Sequence, residues 1–263
     1  MPFDDDHLAA ELAEQAGKLL LDLRAEGGEP GDLRKEGDRL SHEFLAAELA
    51  ARRPGDAVLS EEGKDDPARL AADRVWIVDP LDGTREFGEP GRTDWAVHVA
   101  LWERGALTAG ALNTGALTAG AGALPAQGQV LATTAPPVAP PAHEAGQPLR
   151  VVVSRTRPPA FLDRLGEEMS VTLVPLGSAG AKAAAVMLGE ADAYIHAGGQ
   201  YEWDSAAPAA VALAAGFHAS RLDGAALRYN QPDPVLPDIL ICPVVLAESL
   251  LDAIGAAGAR RPQ

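Results

Sequence analysis

Leucines at positions 8, 12, 19, 20 and 23 recur at near-helical spacing, which predicts an amphipathic helix over 7–26. A second helix is predicted over 40–53, stopped by Pro54-Gly55-Asp56. The period then changes. Val75-Trp76-Ile77-Val78 is short, apolar and mostly β-branched, the pattern of a buried strand, and Ala57-Val58-Leu59-Ser60 resembles it. Trp95, Val97, Val99 and Leu101 alternate with their neighbours and predict a strand over 94–102. Later in the chain, strands are predicted at 150–154, 171–174, 193–196 and 240–243, and helices at 177–188, 204–215 and 246–257. The pattern is that of an α/β (α+β) protein built in two parts.

Two segments interrupt the pattern. Gly105-Ala-Leu-Thr-Ala-Gly-Ala returns ten residues later from Gly115, too few copies for a solenoid, and reads as a local duplication within a hairpin. From Thr133 to Pro148 the chain holds five prolines and little periodicity. That composition suits a connection, so the expected division is 1–135, a Pro-rich link at 136–148, and 149–263.

Charge narrows the chemistry. The 263 residues carry 22 basic and 38 acidic side chains, a net −16, which argues against nucleic acid as a partner. A small phosphorylated ligand stays open, because a bound metal ion can reverse the local sign. The single cysteine, Cys242, rules out an internal disulfide and a cysteine-built zinc site. The start, Met-Pro-Phe-Asp-Asp-Asp, is unlike a signal peptide, and no run of about 18 apolar residues offers a membrane span. A cytoplasmic protein is expected. No Gly-x-Ser-x-Gly elbow, P-loop or paired-His zinc motif occurs.

The candidate chemistry follows the strand at 75–78, in Asp79-Pro80-Leu81-Asp82-Gly83-Thr84. Two carboxylates at the end of a buried strand need a partner, and no Lys or Arg lies among them. A hard divalent cation such as Mg²⁺, which takes few carboxylates and commonly meets substrate phosphates, suits them. If a helix begins at Gly83-Thr84, its first N–H groups could cradle phosphate. Asp-Gly-Thr is also ordinary turn chemistry. Glu61-Glu62 again stands at a strand end, Asp204 in Trp203-Asp204-Ser205 reads as a helix N-cap, and Asp38 reads as a loop residue. Each is unremarkable alone. His42, His98, His196 and His218 read as packing or surface residues.

In the order Asp38, Glu61-Glu62, Asp79-Pro-Leu-Asp-Gly-Thr84 and Trp203-Asp-Ser-Ala-Ala207, the motifs resemble the lithium-sensitive, magnesium-dependent phosphatases of the inositol monophosphatase superfamily, over about residues 10–255. The resemblance implies an αβαβα layered sandwich of the inositol monophosphatase/fructose-1,6-bisphosphatase type. It implies two or three Mg²⁺ ions held by Glu61, Asp79, Asp82, Asp204 and the Leu81 carbonyl. Asp38 and Thr84 would orient or deprotonate the attacking water, and Glu62 would help to hold it. The Gly83 and Thr84 N–H groups would bind phosphate, and the metal-ligating residues would line the substrate site. Homodimers are common in this family.

Within that superfamily, Gly83-Thr-Arg-Glu-Phe87, the Gly177-Ser178-Ala-Gly-Ala-Lys182 segment and Val153-Ser-Arg-Thr-Arg157 look most like the CysQ-type 3′(2′),5′-bisphosphate nucleotidases. These remove the 3′-phosphate of 3′-phosphoadenosine 5′-phosphate in sulfate assimilation. Ser178, Lys182 and Arg155 or Arg157 then become candidate nucleotide contacts; a solvated lysine on an Ala-rich helix is the lesser reading of Lys182, and a strand-end surface arginine an equal one for Arg155 and Arg157. Inositol 1-phosphate or fructose 1,6-bisphosphate hydrolysis by the same metal site is the main alternative, and a non-catalytic nucleotide- or cation-binding regulator a lesser one. A haloacid-dehalogenase-type nucleophile fits poorly, since its aspartates stand two apart and Asp79 and Asp82 stand three apart.

Overall fold

The computed structural model describes residues 4–105, 115–141, 143 and 146–258. Helix α1 (Asp5–Glu26) is capped by Asp4, whose Oδ1 accepts from the Asp6 N–H at 3.1 Å, and buries Leu8, Leu12, Ala16 and Leu20. Helix α2 spans Pro30–Arg52, so it starts ten residues before the expected 40. Proline at the first turn presets the helical φ. Gly37, a poor helix former, is retained in mid-helix because space demands it. A Cβ there would stand 2.8 Å from Phe87 Cε1 and 2.9 Å from Leu81 Cδ2. Asp38 is therefore a helical residue, not a loop residue, and is carried against the Asp79–Thr84 segment.

These helices cover one face of a five-stranded sheet with the order β1 (Ala57–Ser60), β2 (Arg74–Asp82), β3 (Ala96–Glu103), β4 (Ala116–Leu124), β5 (Gln129–Ala132). β1 and β2 are parallel and the remaining pairs antiparallel. A five-residue helix, α3 (Thr84–Gly88), follows β2. The second copy of the duplicated heptapeptide enters β4. The first copy, past Gly105, lies outside the described residues. Residues 133–148 show no helix or strand among those described, only an isolated bridge between Ala132 and Ala135.

The later elements are β6 (Leu149–Ser154), α4 (Leu162–Glu168), β7 (Val171–Leu176), α5 (Ala179–Met187), β8 (Ala193–Tyr201), α6 (Glu202–Ala214), β9 (Phe217–Ser220), β10 (Val235–Pro243) and α7 (Val244–Ala256). Their strands form a second sheet in the order β7-β6-β8-β10-β9. Alanine-rich α6 fits between the sheets. Ala206, Ala207 and Ala209 pack with Ile77 and Trp102 of the first sheet, while Val211 and Ala212 pack with Tyr194 and Ile239 of the second. α5 shares that middle layer, and α4 and α7 bury Leu162, Leu165, Leu250 and Ile254 against the outer face. The layers run αβαβα, as expected. Strands β5 and β9 and helix α4, all short, were not among the predicted elements, and α3 was expected only on the condition of a helix start at Gly83-Thr84.

Candidate active site

The site begins with a fault in a strand. Asp79 pairs with His98 of β3 but Asp82 pairs with Ala96, so β2 carries one extra residue across that interval. Residues three apart on a regular strand face opposite ways, and the bulge lets Asp79 and Asp82 converge. Asp79, Asp82 and Asp204 each offer a carboxylate oxygen within 4.8 Å of the others. Gly83 then turns the chain with φ 84°. A side chain would be strained there and would crowd Ser178 Cβ at 3.0 Å and the Asp94 carbonyl at 3.2 Å. Helix α3 starts at Thr84, so the conditional helix start at this motif is present, though only five residues follow.

Asp82 is held by the second half of the chain. The start of α5 supplies the Ser178 hydroxyl at 2.5 Å and the Gly180 N–H at 2.6 Å to Oδ2, and the Ala179 N–H at 3.1 Å to Oδ1. Ser178 also accepts from the Ala181 N–H at 2.9 Å, so its hydroxyl is committed to Asp82 and to the helix cap. Asp204 sits in the first turn of α6 and not at its N-cap, because α6 begins at Glu202 and the Asp204 Oδ2 accepts from the Tyr201 N–H at 2.7 Å.

Crowding shapes the electrostatics. Burial and the neighbouring Glu61, Asp82 and Asp204 charges hold the Asp79 carboxyl well above the usual range. Withdrawal from water and the Asp82 charge push Asp204 up to about 8. Glu61, at the end of β1, stands beside the trio. Partial withdrawal from water, with the charges of Asp82, Glu62 and Asp38, pushes it up to about 7. Carboxylates that raise one another in this way leave the cluster short of positive charge. Its all-oxygen donor set fits a hard divalent ion, which would take over that deficit. Glu62 is exposed beside it.

Asp38 and Thr84 meet as expected. The Thr84 hydroxyl lies 3.2 Å from Asp38 Oδ1 and 3.0 Å from the Leu81 carbonyl, and can donate to either. Desolvation, reinforced by Glu62, pushes Asp38 up to about 6.

A cavity of about 620 Å³ adjoins the cluster, its walls including Asp82, Thr84, Asp204, Arg85, Arg157 and Lys182. Lys182 is 3% exposed, not solvated. Its Nζ donates to the Gly177 and Ser178 carbonyls at 2.6 and 2.9 Å and lies 5.4 Å from the Tyr194 ring centre. Burial draws its pKa down. Arg155 does not line the cavity. Its guanidinium bridges Glu86 at 2.5 Å and Glu89 at 3.0 Å, so of the two candidate arginines the structure places Arg157 on the wall. His196 and Gln200 also line the cavity, although neither was a candidate. Burial lowers His196 to about 4. His98, read as a packing or surface residue, stands behind Asp82, its Nε2 3.4 Å from Asp82 Oδ2. The readable signal was its place on β3, opposite in phase to Trp95, Val97, Val99 and Leu101.

The model of the inositol monophosphatase family matches residues 6–257. The chain belongs to the inositol monophosphatase family. Among its relatives, the 3′-phosphoadenosine 5′-phosphate phosphatase of Mycobacterium tuberculosis is 57% identical over 246 residues, covering 92% of this chain and 90% of that protein. The 3′(2′),5′-bisphosphate nucleotidase CysQ of Escherichia coli is 30% identical and covers 86% and 94%. A family fold is also evident in the crystal structure of inositol monophosphatase-II from Staphylococcus aureus, which superposes with a TM-score of 0.74 at 21% identity over 92% of each chain. Among the described residues no helix is long and apolar enough to cross a membrane.

Proposed function

We propose that this chain is a Mg²⁺-dependent phosphatase that removes the 3′-phosphate of 3′-phosphoadenosine 5′-phosphate, giving AMP and phosphate, in sulfate assimilation. The observation that carries the reading is one cavity with two kinds of charge. Asp82 and Asp204 of an acidic trio suited to metal ions share its walls with the cationic side chains of Lys182, Arg85 and Arg157. A substrate with two phosphates needs both, and a relative of this activity at 57% identity supports the nucleotide.

Asp79, Asp82 and Asp204, with Glu61 and the Leu81 carbonyl, would hold two or three ions. When bound, Mg²⁺ offsets phosphate charge and lowers the pKa of water. The chain's own groups supply the geometry. Asp38, ionised at neutral pH, accepts a proton from water while the Thr84 oxygen fixes its position. The N–H groups of Gly83 and Thr84 precede any helical acceptor and are free in principle to hold phosphate oxygens. The remainder is positioning and electrostatics, with no covalent intermediate required.

Phosphate release from 3′-phosphoadenosine 5′-phosphate, inositol 1-phosphate and fructose 1,6-bisphosphate, with Mg²⁺ and with chelator, tests this. A Mg²⁺-dependent preference for the nucleotide is expected. Equal rates on all three would make it a broad phosphatase, and no turnover on any would leave a binding protein.

A further inference from the structure

His98 is fully buried, and its imidazole lies between Asp82 and the residue before Asp204. Its Nδ1 is 3.2 Å from the carbonyl of Trp203, the residue before Asp204. That carbonyl only accepts, so Nδ1 carries the hydrogen. Nε2 faces Asp82 Oδ2 at 3.4 Å and has no hydrogen-bonding partner. The imidazole otherwise meets a slit of about 10 Å³ lined by Ala96, Leu124, Leu131, Met187 and Val211. A slit of that size barely admits one water and offers it no polar partners. With its hydrogen on Nδ1, Nε2 presents a lone pair and does not bond the Asp82 carboxylate, so the ring, anchored to the Trp203 carbonyl, stands as a spacer against Asp82.

Space on α5 has been cleared for this ring. A Cβ on Gly180 would overlap His98 Nε2 and stand 2.9 Å from Ala96 Cβ. The same Gly180 donates its N–H to Asp82. The first turn of α5, Asp82 at the end of β2 and the first turn of α6 therefore converge on one imidazole.

We infer that His98 is a positioning residue that sets the separation of Asp82 and Asp204, and through it the affinity for the divalent ion. This rests on the proposed metal site. Partners behind metal ligands commonly change metal affinity about 10- to 100-fold. Mn²⁺ binding without substrate, by calorimetry or electron paramagnetic resonance, reads the effect apart from turnover. His98→Leu, which fills the volume but cannot donate to the Trp203 carbonyl, is expected to weaken Mn²⁺ binding by about ten-fold or more, and His98→Gln, which keeps a donor for that carbonyl, to recover part of the loss. Gly180→Ala, which displaces the ring, should weaken binding in the same direction and carries the test if His98→Leu does not fold. Wild-type affinity in a folded His98→Leu or Gly180→Ala protein would overturn the inference, as would a complete failure of Gln to rescue. A wild-type protein that takes up no Mn²⁺ would refute the metal site itself.

Discussion

Single residues separate catalysis from binding here. Asp38→Asn keeps the shape and removes the proposed base, so kcat is expected to fall by about 10²–10⁴-fold with little change in KM, in steady-state assays at saturating Mg²⁺. Because Asp38 is raised to about 6 and must be ionised to act, kcat/KM should decline as pH falls through 6. A flat profile from pH 5 to 8 would remove it as the base. Arg157→Ala should raise KM for the nucleotide more than Arg155→Ala, since Arg155 is held by Glu86 and Glu89 away from the cavity. No motif distinguishes these two arginines, two residues apart at a strand end. Only the fold gives Arg155 its acidic partners.

At the scale of elements, α2 shows why boundaries were hard to read. Pro30, Gly31 and Gly37 look like loop residues, yet the helix runs from Pro30 through them because Phe87 and Leu81 press against its flank at Gly37. Propensity favours alanine over glycine in a helix by up to about 1 kcal/mol. Overpacking commonly costs about 1–3 kcal/mol. Gly37→Ala is therefore expected to lower thermal stability, read by circular dichroism, and to displace Asp38 enough to slow turnover. A stabilised, fully active variant would show that α2 can move aside. The interior strands and the helices α1, α5, α6 and α7 were legible because their apolar periods are long. β5, β9 and α4 were not, being too short to show a period, and α3 was readable only through its motif.

The whole molecule carries −16, and its folded state concentrates carboxylates that the unfolded chain keeps apart. Glu61, Asp204 and Asp38 are raised to about 7, 8 and 6, and Asp79 is raised as well. Unfolded carboxylates titrate near about 4. Through these carboxylates the metal-free fold binds more protons than the unfolded chain between those limits, and their contribution to stability falls as pH rises from about 4 to 8; His98, His196 and His218, lowered by desolvation, act in the opposite sense only below about 6.5. Differential scanning fluorimetry in chelator should show a lower Tm at pH 8 than at pH 5.5. Added Mg²⁺ should raise Tm most at pH 8, where the repulsion is fully developed. The opposite slope would mean that the cluster is neutralised from within.

The order of chemical motifs along the chain sufficed for the family, the layered α/β class and the carboxylates that the fold gathers into one cluster, because phosphate and cation chemistry needs particular side chains at particular spacings and these survive in a linear string. Periodicity likewise sufficed for most elements, since a buried face must repeat with its helix or strand. What closes the site depends on contacts between segments distant in sequence. The bulge that turns Asp79 and Asp82 together, the α5 amides on Asp82, the burial of Lys182 beneath the cavity and the place of His98 behind the trio all arise where β2, β3, α5 and α6 meet. No local pattern encodes such a meeting, because the energies that decide it, packing against glycine and desolvation of charge, exist only once the layers have closed.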